Sequence, residues 1–164
     1  MIKHSDGPTV EVSVEVAATD AELWPLISDI ELPARFSEEY QGGEWIEGAG
    51  PVAGARFRGS NRHARVGEWS TESTVIVCEP RRSFGWAVGD VDEPSAAWRF
   101  DLDPSAGVTT LSMRARLGPG RSMLTAIIEA HPDREDELIR LRLDEWRANM
   151  LATVEGIKSL AESS

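Results

Sequence analysis

Three histidines, one tyrosine and one cysteine are the uncommon titratable side chains among the 164 residues. His63 has the best position of these for moving a proton. In "GARFRGSNRH" Phe57, Gly59, Asn61 and His63 alternate with Arg56, Arg58, Ser60 and Arg62. A regular strand puts His63 and Asn61 on the face of Phe57, at a strand end. An imidazole at a pocket mouth serves as general acid or base near neutral pH. A histidine that merely closes a turn does no chemistry, and both readings are open here.

The next stretch, "EWSTESTVIV", places Trp69, Thr71, Ser73, Val75 and Val77 on one face, against Glu68, Ser70, Glu72 and Thr74 on the other. The first face should point inward. A buried hydroxyl without a partner costs about 1–3 kcal/mol. Thr71 and Ser73 therefore either meet a ligand or bond to backbone or ordered water. No metal site is predicted, because His4, His63 and His131 are scattered and no HxxxH, HExxH or CxxC spacing occurs. "GPGRS" at 118–122 lacks the Walker lysine and the GxGxxG spacing, so it reads as a loop, and no cofactor is expected.

The elements that hold these residues follow from periodicity. "TVEVSVEV" alternates strictly, with Val10, Val12, Val14 and Val16 on the buried side of a strand. Thr19 or Asp20 caps a short helix carrying Leu23, Leu26 and Ile27, and Pro33 marks a second short helix. Six strand-length segments follow, separated by short turns that suit antiparallel neighbours. "SMLTAIIEA" is a short amphipathic helix. From Asp133, a plausible N-cap, to Glu162 the chain reads as one helix. Its apolar face holds Ile139, Leu143, Trp146, Met150, Val154, Ile157 and Ala161, with Asn149 at the edge. Glu135, Asp136 and Glu137 load its first turn with acid, where the macrodipole favours it. The predicted class is α+β, a curved seven-stranded antiparallel sheet around the terminal helix. One domain should span 1–164, with 1–8 and 162–164 frayed.

Strand parity sets the inner wall. Phe84, Trp86 and Val88 share a face, as do Trp98, Phe100 and Leu102, and also Leu111, Met113, Ala115 and Leu117. Trp146 and Met150 approach from the helix, and Met123 and Leu124 form a lid-like segment. Aromatic and methionine side chains suit a pocket for flat apolar molecules, and they equally suit a solid core.

The layout, with "VEVAATDAELWPLISDIELPARFSEEY", "ARVGEW" and "RANM…IK", resembles the START/Bet v 1-like (SRPBCC) superfamily of helix-grip proteins. Within it, the chain resembles polyketide cyclase/dehydrase-type domains and the tetracenomycin-type aromatase/cyclases. The resemblance implies a deep cavity between sheet and helix, occupied by small apolar molecules. It matches Trp69 to a cavity tryptophan and Asn149 to the asparagine of "RANM", which looks into that cavity. Tyr40 resembles the tyrosine after "FSE", although Glu39 is an extra residue here. Ser73 stands where those aromatases carry a catalytic arginine. Ring closure and dehydration need a group that polarises a ketone, so the aromatase activity is not carried over.

Three functions are compatible with this reading. The first is binding of a small hydrophobic or aromatic molecule, in the manner of a lipid carrier, by Trp69, Thr71, Ser73, Phe84, Trp86, Trp98, Met113, Met123, Trp146, Asn149 and Met150. The second is a cyclase or dehydratase using proton transfer by His63 or Tyr40, with Asn149 and Thr71 orienting substrate. The third is a co-chaperone-like interaction module with a filled interior. The net charge of -11 is spread evenly and argues against nucleic acid and anionic membranes as partners. The one cysteine, Cys78, leaves no internal disulfide. Without an apolar leader or a membrane-spanning run, a cytoplasmic monomer or homodimer is expected.

Overall fold

The computed structural model describes residues 1–48 and 50–163. Ala49, in the expected turn before the third strand, and Ser164, in the expected frayed end, lie outside the described residues.

The alternating valines form β1 (Thr9–Val16), with Val10, Val12 and Val16 buried and the glutamates exposed. Thr19 caps α1 (Asp20–Ile27) by accepting from the Glu22 amide at 3.1 Å, and Glu22 reaches back to the Thr19 amide. A 3-10 turn over Leu32–Arg35 follows. Six strands then run in a meander: β2 (Tyr40–Glu47), β3 (Arg56–His63), β4 (Gly67–Glu79), β5 (Ser83–Val88), β6 (Ala96–Ser105) and β7 (Val108–Leu117). They pair antiparallel in the order β1-β7-β6-β5-β4-β3-β2. Two helices close the fold, α2 (Met123–Ala130) and α3 (Glu135–Glu162).

The 28-residue α3 buries the face its spacing predicts: Ile139, Trp146, Met150, Val154, Ile157 and Ala161 are all in the core. It lies along β1, where the Arg147 guanidinium and the Lys158 ammonium donate to the carbonyls of Glu11 and Glu15. On the far side of the sheet its facing residues include Gly59, Asn61, Thr71 and Ser73, which are too small to fill the gap.

Two expectations are corrected. Asp133 is not the cap of α3; it sits in a 3-10 turn over Pro132–Arg134, and the helix starts at Glu135 without a side-chain cap. The proline at the head of this segment fixes φ and suits a tight turn ahead of the α-helix. Val77 does not share the face of Val75. A bulge between Val75 and Val77 shifts the register, so Cys78 pairs with Phe84 and packs on the core instead. The first residues contact α3. His4–Asp6 form a 3-10 turn, and the amides of Ile2 and His4 donate to Asp136 and Glu135 of α3. Glu162 likewise stays helical and accepts from the Ala17 amide.

Gly156 of α3 faces the ring of Phe36, and a methyl group there would overlap that ring. Glycine to alanine in a helix interior normally stabilises by about 1 kcal/mol. Gly156→Ala is expected to reverse the sign and cost about 1–3 kcal/mol through overpacking. Urea unfolding measures it, and a gain in stability would show that Phe36 moves aside freely.

Candidate functional site

A cavity of about 670 Å³ lies between α3 and the inner face of β3–β6. That volume is within the range of ligand pockets, roughly 300–1,000 Å³. The residues named above for ligand binding or proton transfer line it: His63, Tyr40, Trp69, Thr71, Ser73, Phe84, Trp86, Trp98, Met113, Met123, Trp146, Asn149 and Met150.

The apolar wall comes from cross-strand stacking. Phe84 pairs with Phe100, and Trp86 with Trp98, across β5 and β6. Phe57 meets Trp86 edge-on at 5.8 Å, and Trp86 leans on Phe100 at 6.2 Å. From the helix, Trp146 packs against Trp98 with ring centroids 4.7 Å apart. Such pairs add about 0.5–1.5 kcal/mol each beyond the area they bury. They also hold the rings upright around open space.

The polar residues are less evenly engaged. Thr71 and Ser73 point inward on β4, opposite Gly59 and Phe57 of β3. Ser73 is only 3% exposed. Neither hydroxyl has a hydrogen-bond partner among the described residues. Asn149 accepts from the Glu38 amide at 2.9 Å through Oδ1, which anchors the segment leading into β2 to α3.

Tyr40 is a strut. Its hydroxyl donates to the Ile30 carbonyl at 2.6 Å. Its hydroxyl sits where a Cβ at Gly43 would fall, and its ring edge would press tightly on a Cβ at Gly59. Burial, then the charges of Glu31 and Asp29, push its phenol well above the ordinary range. The phenol is thus committed as a donor to the backbone of the loop before β2.

His63 is also engaged at both nitrogens. Nδ1 accepts from the Arg65 amide at 3.1 Å, which leaves Nε2 to donate to Glu145 at 2.8 Å. Arg65 reaches over the rim to the same Glu145 oxygen at 2.9 Å. Arg142 completes the cluster with a two-pronged pair to Glu39, both contacts 2.7 Å, and a 3.2 Å contact to Glu145. Burial would raise the Glu145 carboxyl, but the hydrogen bonds from His63 and Arg142 outweigh it and hold it low. The expected general acid or base is thus part of a charge-neutralised brace joining the β3–β4 turn to α3.

Sequence reasoning missed Glu39, Arg142 and Glu145. A signal existed: Leu138, Arg142, Glu145 and Asn149 recur at spacings of four, three and four, one step off the apolar stripe. Those residues form the helix edge over the cavity.

Around the opening, Val66, Met123, Ile127 and Leu141 line the cavity and are all substantially exposed. Met123 and Ile127 sit on α2, the expected lid-like segment. Among the described residues, no cluster of three His, Cys, Asp or Glu could hold a metal ion, and no helix is long and apolar enough to cross a membrane.

Comparison with known proteins agrees with this geometry. The Polyketide_cyc-like protein Cgl2372 from Corynebacterium glutamicum is similar over 94% of this chain and 91% of its own, with 30% identity and a TM-score of 0.67. The aromatase/cyclase ZhuI from Streptomyces sp. R1128 shares the fold at 15% identity and a TM-score of 0.66, with 94% and 93% covered. The di-domain BexL of the BE-7585A biosynthetic pathway matches at 18% identity and a TM-score of 0.70, over 94% of this chain and half of its own. No curated protein matches the chain in sequence. The family described as polyketide cyclase/dehydrase and lipid transport matches residues 7–142. With that match and the helix-grip architecture around a cavity, the chain belongs to the polyketide cyclase/dehydrase and lipid transport family.

Proposed function

We propose that this protein binds a small hydrophobic or aromatic molecule between its sheet and α3. The observation that carries the reading is the cavity of about 670 Å³ walled by Phe57, Phe84, Trp86, Phe100, Trp98 and Trp146. A void of this size lined by aromatic groups is costly to leave empty and favourable to fill. An interaction module of the co-chaperone kind has no use for such a hollow. The cyclase reading is weaker, because His63 and Tyr40 are both held in hydrogen bonds and Ser73 cannot act as a cation.

Four of the six tryptophans, Trp69, Trp86, Trp98 and Trp146, line the cavity, so occupancy should report in intrinsic fluorescence. Titration with anthracene is expected to quench the emission saturably at one equivalent. Saturation at about a hundred times Kd adds about 2.7 kcal/mol of stability, which raises Tm by roughly 5–10 °C. Unchanged emission and unchanged Tm across a panel of aromatic and aliphatic probes would remove the binding reading.

A further inference from the structure

Ser73 is almost wholly enclosed, 3% exposed, yet its hydroxyl faces the cavity with no partner among the described residues. Its cross-strand neighbours on that face are Phe57 and Val88, which offer it nothing. Thr71 repeats the arrangement two residues along β4, opposite Gly59. Two strand positions put these hydroxyls about 7 Å apart. A hydroxyl both donates and accepts, so the pair can meet either a carbonyl or another hydroxyl.

The charges around the cavity point the same way. Four arginines line it, and each has a carboxylate partner: Arg65 with Glu145, Arg121 with Glu129, Arg134 with Glu137, and Arg142 with Glu39 and Glu145. Neither lysine of the chain, Lys3 or Lys158, lines it. His63 has both nitrogens occupied. An anionic ligand would bury its charge beside no free cation and near the carboxylates of Glu39 and Glu145, and a buried unpaired charge is strongly disfavoured.

We propose that Ser73, with Thr71 beside it, forms an uncharged hydrogen-bonding rail that makes the cavity take a neutral, oxygen-bearing ligand, a phenol, alcohol or ketone, in preference to a carboxylate. This rests on the binding reading above and names the class of molecule bound. The apolar wall supplies affinity that any flat hydrocarbon can use. The rail favours a polar ligand over a bare hydrocarbon, because a hydroxyl needs a hydrogen-bonding partner once the ligand displaces water from it, and the lack of a free cation turns that preference away from a carboxylate.

The test compares three tricyclic probes at pH 7 by fluorescence quenching of the full chain: 1-hydroxyanthraquinone, anthraquinone-2-carboxylate and anthracene. The hydroxyquinone is expected to bind at least about tenfold tighter than the carboxylate, the scale of one unpaired polar group. Ser73→Ala is expected to weaken the hydroxyquinone about fivefold, the scale of one neutral hydrogen bond, and to leave anthracene unchanged. Equal or tighter binding of the carboxylate by the wild-type chain overturns the rail. So does a Ser73→Ala variant that weakens all three probes alike, which would make the serine a packing residue. In both cases binding of anthracene keeps the pocket itself, whereas failure of all three probes to bind sinks the pocket and the rail together.

Discussion

Trp146→Ala is expected to lose about 3–5 kcal/mol of stability, the range for truncating a buried aromatic residue. The ring is 5% exposed, rests on Trp98 at 4.7 Å, and carries the Arg142 guanidinium 5.6 Å from its centroid. It therefore couples three things: the apolar face of α3, the β5–β6 wall and the ionic brace at the mouth. For a chain of this size the loss corresponds to a fall in Tm of roughly 6–20 °C. Denaturant unfolding of the variant measures it directly. A loss under about 1 kcal/mol would mean that the ring hangs at the edge of the hollow and holds nothing apart. The larger value would mean that α3 stands off from the sheet because Trp146 and Trp98 prop it there.

The second large effect separates stability from binding. Val88 lies at the end of β5, half-buried, facing the cavity between the small residues Ser73 and Ala96. Val88→Trp is expected to send an indole into the hollow. Ligand affinity should fall at least about a hundredfold, equivalent to about 2.7 kcal/mol. Thermal stability should hold or rise, because the new ring gains dispersion contacts with walls that had none on that side. Titration with anthracene and a melting curve on the same sample decide it. Undiminished affinity in a folded variant would place the ligand outside the cavity. Lost stability with lost affinity would show instead that the wall cannot accept the extra volume.

Together the two variants treat the hollow as a built feature. Trp146 packs α3 against Trp98, Tyr40 lies over Gly43 and Gly59, and the Glu39–Arg142–Glu145–His63 cluster ties the rim to α3. The side chains that resemble proton-transfer groups are spent on this framework. Among the described residues of the wall, Thr71, Ser73 and the Asn61 carboxamide keep side-chain hydrogen-bonding capacity free.

Periodicity alone determined much of this protein. Strict alternation in β1, β3, β5, β6 and β7 assigned each inward residue, because a pleated strand sends successive side chains to opposite faces. The three-and-four spacing along α3 named its buried stripe for the same kind of reason. These are local rules, and with the family resemblance that pointed to Tyr40 and Asn149 they named the side chains that line one space. Parity failed at Val77, where the bulge in β4 inserted a residue that no alternation encodes.

Tertiary structure decided what those side chains are free to do. His63 and Tyr40 carry groups whose chemistry depends on partners 82 and 10 residues away in sequence, Glu145 and the Ile30 carbonyl. Composition and spacing cannot supply such partners, since a hydrogen bond needs two atoms placed within about 3 Å and only the closed fold places them. Whether the interior was solid or hollow was likewise open to both answers from the same residues. The closed fold leaves a cavity of about 670 Å³ there, and that depends on how side-chain volumes add across the whole sheet and α3, which no single stretch of sequence contains.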